Sequence, residues 1–135
     1  MNLIVHRPVL ILLTLVGLSL GVWAYLAPQN WYNTFPGMGM HWLPVLGPYN
    51  EHFVKDVGCM FLALGVLSAF AVYHLRNRAV VVIAGITWSV FNLLHLTYHI
   101  GMLHMYGPRD AILNAVSLSL LLAVSLTLLV PARDH

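Results

Sequence analysis

The sequence predicts an all-α fold: a four-helix transmembrane bundle with a Pro-, Gly- and aromatic-rich extracytoplasmic loop between helices one and two. Three observations predict it. The chain has 135 residues, 60% hydrophobic and 7% charged, with mean hydropathy +0.83. Four apolar runs each have about the 20 residues needed to cross a bilayer. The prolines, glycines and arginines that would break such runs fall mainly between them.

Composition also excludes classes. A soluble domain carries about 25% charged residues. Six Lys/Arg and four Asp/Glu cannot make a water-facing surface for a chain of this size. An ordinary soluble domain, a disordered chain and a nucleic-acid binder are excluded, the last because no basic face exists. One cysteine, Cys59, leaves no intrachain disulfide and no CxxC pair. The chain reads as a single integral membrane domain over 1–135.

The first run is Pro8 to Ala27, closed by Pro28. It exceeds the 7–15-residue core of a signal peptide and lacks a small-x-small cleavage site, so it reads as an uncleaved helix. The second run, 53–75, is closed by Arg76-Asn77-Arg78. The third, 79–102, is closed by Gly107-Pro108, and the fourth, 111–130, by Pro131. The last three are joined by short loops, which makes them antiparallel neighbours.

Orientation follows from basic residues. Arg7, Arg76, Arg78 and Arg133 share one side of this topology, and Lys55 and Arg109 the other. The positive-inside rule places both termini in the cytoplasm of a multi-pass inner-membrane protein. The connector 28–50 is then extracytoplasmic. Its prolines and glycines argue against regular helix. Trp31, Tyr32, Phe35, Trp42 and Tyr49 suit the headgroup level. It reads either as an interfacial loop over the bundle mouth or as a lid on a pocket.

Ionisable residues in hydrocarbon are costly and are expected to face the bundle interior. On the second helix, His52, Asp56 and Cys59 share a stripe, with Lys55 beside it and Glu51 further round. On the third, Asn92, His95 and His99 share one, extended inward by Trp88. On the fourth, Asp110, Asn114 and Ser117 do. All three stripes lie in the outer half of the bundle. The sequence thus points to a polar pocket of Glu51, Lys55, Asn92, Asp110 and Asn114 beside four candidate metal ligands, His52, Asp56, His95 and His99.

Several chemistries fit that cluster. His95 and His99, at i and i+4, can reach one ion, and imidazoles with carboxylates suit Zn, Fe or Cu. Haem is a variant, with His52 or His41 opposing His95 or His99. A protonatable relay is another, although few polar groups continue it through the inner half. The structural reading has Lys55 and Asp56 pairing with Asp110 and Arg109 while Asn92 and the histidines cross-link helices. Cys59 reads as a buried inert thiol, and Met38 and Met40 as apolar loop anchors or soft copper contacts. Gly17 and Gly21 form a GxxxG pair for a helix of the same bundle or for a second copy.

The segment Asp56-Val-Gly-Cys-Met-Phe-Leu-Ala-Leu-Gly65, in a four-span chain of this length, resembles small bacterial four-helix membrane proteins of the DoxX-like kind. The resemblance implies the same architecture and, for some members, a link to respiratory or thiol/quinone redox complexes. It implies no catalytic residue. The function expected is a small accessory or partner-binding membrane subunit with an extracytoplasmic polar pocket. The alternative is a metal- or haem-binding membrane redox protein using the His/Asp cluster. Whether the chain is an enzyme stays open.

Overall fold

A computed structural model describes residues 3–131; Arg133, one of the orienting arginines, lies outside them. The elements are α1 (Leu3–Leu26), α2 (Pro28–Thr34), α3 (Glu51–Tyr73), α4 (Arg78–Gly101), a 3₁₀ turn (Leu103–Met105) and α5 (Pro108–Thr127). The fold is all-helical. α1, α3, α4 and α5 are each long and apolar enough to cross a membrane.

Two boundaries differ from expectation. α1 begins ahead of Pro8, which lies inside it. Proline removes one backbone donor, so this early in a helix the loss is confined to one carbonyl. The connector, expected to lack regular helix, opens with the seven residues of α2. Pro28 stands at its start, where a missing N–H is already without a partner and the fixed φ suits the helix. Beyond it the chain is irregular through Asn50, with a cis Phe35–Pro36 bond and positive φ at Gly37, Met38 and Gly39. Side-chain caps start the next two spans: Asn50 accepts from the Phe53 N–H, and Asn77 accepts from Ala79 and Val80.

The bundle is built as two helix pairs. α1 lies along α3, and α4 along α5; contact between the pairs is much sparser. Small residues explain the first pair. A Cβ on Gly17 would sit 2.6 Å from the Gly65 nitrogen, and one on Gly58 would sit 2.8 Å from the Tyr25 nitrogen. Backbones approach this closely only where side chains are absent, and van der Waals contact then drives packing that the hydrophobic effect does not drive inside lipid. The Gly17/Gly21 face is thereby filled by α3 of the same chain. It is not free for a second copy, which corrects the homo-oligomer reading of that motif.

The second pair is held partly by polar bonds. Asn92 donates to the Leu121 carbonyl at 3.2 Å and to Ser125 Oγ at 3.3 Å. At the opposite end from the connector, Arg78 donates to the Leu128 and Leu129 carbonyls at 2.8 and 2.7 Å. Its charge caps the C-terminus of α5, where carbonyls lack helical partners. Between pairs, Trp88 donates to Ser68 Oγ at 2.7 Å, and Phe61 meets Phe91 edge-on at 5.3 Å. The outer faces carry large exposed apolar side chains, among them Leu15, Val66, Ile83, Leu94 and Leu120. Such a continuous apolar exterior fits contact with a lipid bilayer.

Candidate functional site: an aromatic-roofed chamber between the helix pairs

Where the two pairs diverge below the connector, they leave a chamber of about 570 Å³. All four long helices line it. α1 contributes Val16, Ser19 and Leu20; α3 contributes Val57 and Phe61. α4 contributes Trp88, Phe91, Asn92, His95 and His99, and α5 contributes Asn114, Ser117, Leu118 and Leu121. The connector closes the end with Trp31, Phe35, Pro36, Trp42 and Leu43, and Tyr106 joins from the α4–α5 turn. The volume falls within the range of small-molecule sites, and the pattern of many apolar walls with a few polar groups is typical of them.

The roof is held together by rings and hydrogen bonds. Trp31, Phe35, Trp42 and Tyr106 form a chain with successive centroid separations of 5.5, 6.0 and 6.4 Å. Tilted and edge-on rings at these distances attract through their quadrupoles. Tyr106 donates its hydroxyl to the Trp42 carbonyl at 2.8 Å, fixing the connector to the α4–α5 turn. Tyr32 donates to the Gly47 carbonyl, and Trp23 donates to Asn30 Oδ1 at 2.8 Å. The connector therefore lies over the chamber at the bundle mouth, a placement that both sequence readings share. Burial pushes the Tyr106 hydroxyl above its usual pKa, with Tyr98 and Asp110 adding to the rise.

The residues singled out by sequence divide into two groups. Asn92, His95, His99 and Asn114 line the chamber together. The two imidazoles meet edge-on at 4.4 Å. Glu51, His52, Lys55, Asp56 and Asp110 do not line it. His52 and Asp56 form an i,i+4 pair at 3.3 Å on an exposed face of α3, and Cys59 is exposed too rather than buried. The reason is the seam with α1. Gly58 and Gly65 must face inward, and the His52/Asp56/Cys59 stripe is turned outward as a consequence.

The expected ion pairs across helices are replaced by other contacts. Asp110 accepts from its neighbour Arg109 at 3.1 Å, and Lys55 lies over the Tyr25 ring at 5.0 Å. The four metal candidates are not brought together. Among the described residues no three His, Cys, Asp or Glu are grouped as a metal set. The haem variant drew on facing helices, whereas the chamber's two histidines both come from α4. His41, the other ligand considered, is exposed, with its Nδ1 at 2.7 Å from the Asn33 carbonyl oxygen.

Four buried side-chain atoms lack a partner among the described residues: Trp31 Nε1, Trp42 Nε1, His99 Nδ1 and Asn114 Oδ1. Every one belongs to a residue lining this chamber. Native proteins rarely leave buried polar atoms unpaired, and each such atom calls for a partner. The histidines and asparagines are legible in the sequence from their helical stripe. The two tryptophans are not legible as polar groups, because ring composition alone suggests headgroup anchoring. Tyr106 and Ser68 carried no local signal. Comparisons with protein-family models, with curated proteins and with solved structures find no match to this chain.

Proposed function

We propose that this is a small polytopic membrane protein that binds a lipid-soluble small molecule in the chamber beneath its aromatic lid. It serves as an accessory or binding subunit rather than as a conduit. One observation carries the reading: the four unpartnered buried polar atoms all belong to residues lining one mainly apolar cavity. Two of them are indole N–H groups, which only donate. The guest best matched to these walls has an apolar, ring-sized body and at least one acceptor oxygen. Asn114 on α5 adds an acceptor and His99 on α4 an imidazole.

Access from the bilayer fits this role. Ser117, which lines the chamber on α5, is exposed, so the chamber wall is not sealed there. α1 and α5 make little contact with each other, so their border is the weakest part of the wall. A guest dissolved in lipid would pass there without crossing water.

The test is recovery of the guest. Protein purified in mild detergent is denatured and extracted with organic solvent, and the extract is analysed by mass spectrometry. The expected result is one near-stoichiometric apolar compound bearing a carbonyl, ether or hydroxyl oxygen. A Ser117→Phe/Leu118→Phe variant, which fills the chamber, should lose it. Identical extracts from both proteins, containing only bulk lipid, would refute the reading.

A further inference from the structure

A second concavity lies at the other end of the molecule, away from the lid. It is a groove of about 390 Å³ lined by Arg7 on α1, Val72 and Tyr73 at the end of α3, and His74, Leu75, Arg76 and Asn77 in the α3–α4 turn. We propose that this groove holds the phosphate headgroup of an anionic phospholipid, with the acyl chains lying on the apolar flank of α1 and α3. The site is separate from the chamber, so its occupancy is independent of the guest there.

Charge is the first argument. Arg7 and Arg76 are both exposed and bring two guanidiniums to one groove from two elements. Guanidinium presents a planar fork of donors that matches phosphate oxygens. The described acids Glu51, Asp56 and Asp110 all lie at the lid end, so among the described residues no carboxylate competes for these arginines. The basic residues of the lid end are engaged instead, Arg109 with Asp110 and Lys55 on the Tyr25 ring.

Depth is the second argument. The groove sits where two spans end, at the level of the headgroups. Its border is apolar and exposed: Ile4 is 86% exposed and Tyr73 89%. Phe70 stacks on His74 at 4.0 Å, which continues the apolar flank toward the membrane centre. A free anion would use the arginines alone, whereas a phospholipid uses arginines and flank together. Basic pockets between spans are suited to anionic headgroups for this reason.

Competition distinguishes the sources of phosphate. Intact protein in detergent is mixed with equal amounts of phosphatidylglycerol and phosphatidylcholine and examined by native mass spectrometry. The expected result is preferential retention of one phosphatidylglycerol per chain. An Arg7→Gln/Arg76→Gln variant should weaken retention roughly ten- to thirty-fold. Arg7→Lys/Arg76→Lys should keep most of it, and Lys55→Gln/Arg109→Gln should leave it unchanged. Inorganic phosphate in excess should not displace the lipid. Equal retention of both lipids, equal loss in the two glutamine variants, or displacement by inorganic phosphate would overturn the proposal.

Discussion

Trp88 on α4 donates its indole N–H to Ser68 Oγ on α3 at 2.7 Å, and both residues are fully buried. Ser68 passes the bond on, donating to the Leu64 carbonyl at 2.8 Å. This chain is the polar rivet between helix pairs that otherwise touch sparsely, and it lies where the chamber floor begins, since Trp88 lines it.

Removing the acceptor alone should cost more than removing both partners. Ser68→Ala leaves a buried indole N–H unpaired, with an expected loss of about 1–3 kcal/mol. Trp88→Phe together with Ser68→Ala should lose less than the sum of the single changes, because the orphan disappears. A double-mutant cycle by denaturant unfolding in micelles measures the difference.

The α1–α3 seam gives the sharpest contrast among glycines. Gly17→Ala places a methyl 2.6 Å from the Gly65 backbone and should separate the helices, with a loss on the order of 1–3 kcal/mol. Gly101→Ala meets nothing within 4 Å and should be close to neutral. Thermal unfolding of the two variants in one detergent checks both halves. Equal effects would contradict the seam.

Arg78 caps α5 through two carbonyls. Arg78→Gln should lower stability by about 1.5–3 kcal/mol, the range for charge-assisted bonds, reduced by its partial exposure. Lysine should restore only part, because it lacks the fork that reaches Leu128 and Leu129 together. Hydrogen exchange at the end of α5 should rise in both variants, and more in the glutamine form.

Alkaline pH should release the lid. The Tyr106 pKa is raised in the folded state, chiefly by burial. A group whose folded pKa is raised contributes stability that is fully present below the unfolded value, about 10, and is lost as pH rises through the folded value. Lid anchoring should thus be constant at neutral pH and fail only above about pH 10. Tyr106→Phe should remove the bond to Trp42 at every pH, costing about 1 kcal/mol, and flatten the alkaline slope. Tryptophan emission against pH reads both effects.

Much of this architecture is legible in the sequence because lipid imposes a strong filter. Backbone groups in hydrocarbon must be satisfied within a segment, so runs of apolar residues can only be helices. Helix rotation was harder to read. The expectation that His52 and Asp56 face inward rested on the cost of burying charge in lipid. At a helix end that cost is small, and the need of Gly58 and Gly65 for contact with α1 decides the rotation. For α4 no such conflict exists. Asn92, His95 and His99 face the chamber as their spacing predicts, with Asn92 bonded to α5. The internal order of the connector is not legible as a pattern, because it comes from ring contacts between distant residues such as Trp42 and Tyr106.

Tryptophan quenching reads directly whether the chamber takes an apolar guest bearing an acceptor. Trp31, Trp42 and Trp88 line the cavity, so a heavy-atom probe bound there lies beside them. The protein is titrated with 4-bromoacetophenone, which carries a carbonyl, and in parallel with bromobenzene, which does not, at matched mole fractions in the micelle. The expected result is saturable quenching by the ketone, weaker binding of bromobenzene, and loss of saturation in Ser117→Phe/Leu118→Phe. Linear, equal quenching by both probes, unchanged in that variant, would contradict it.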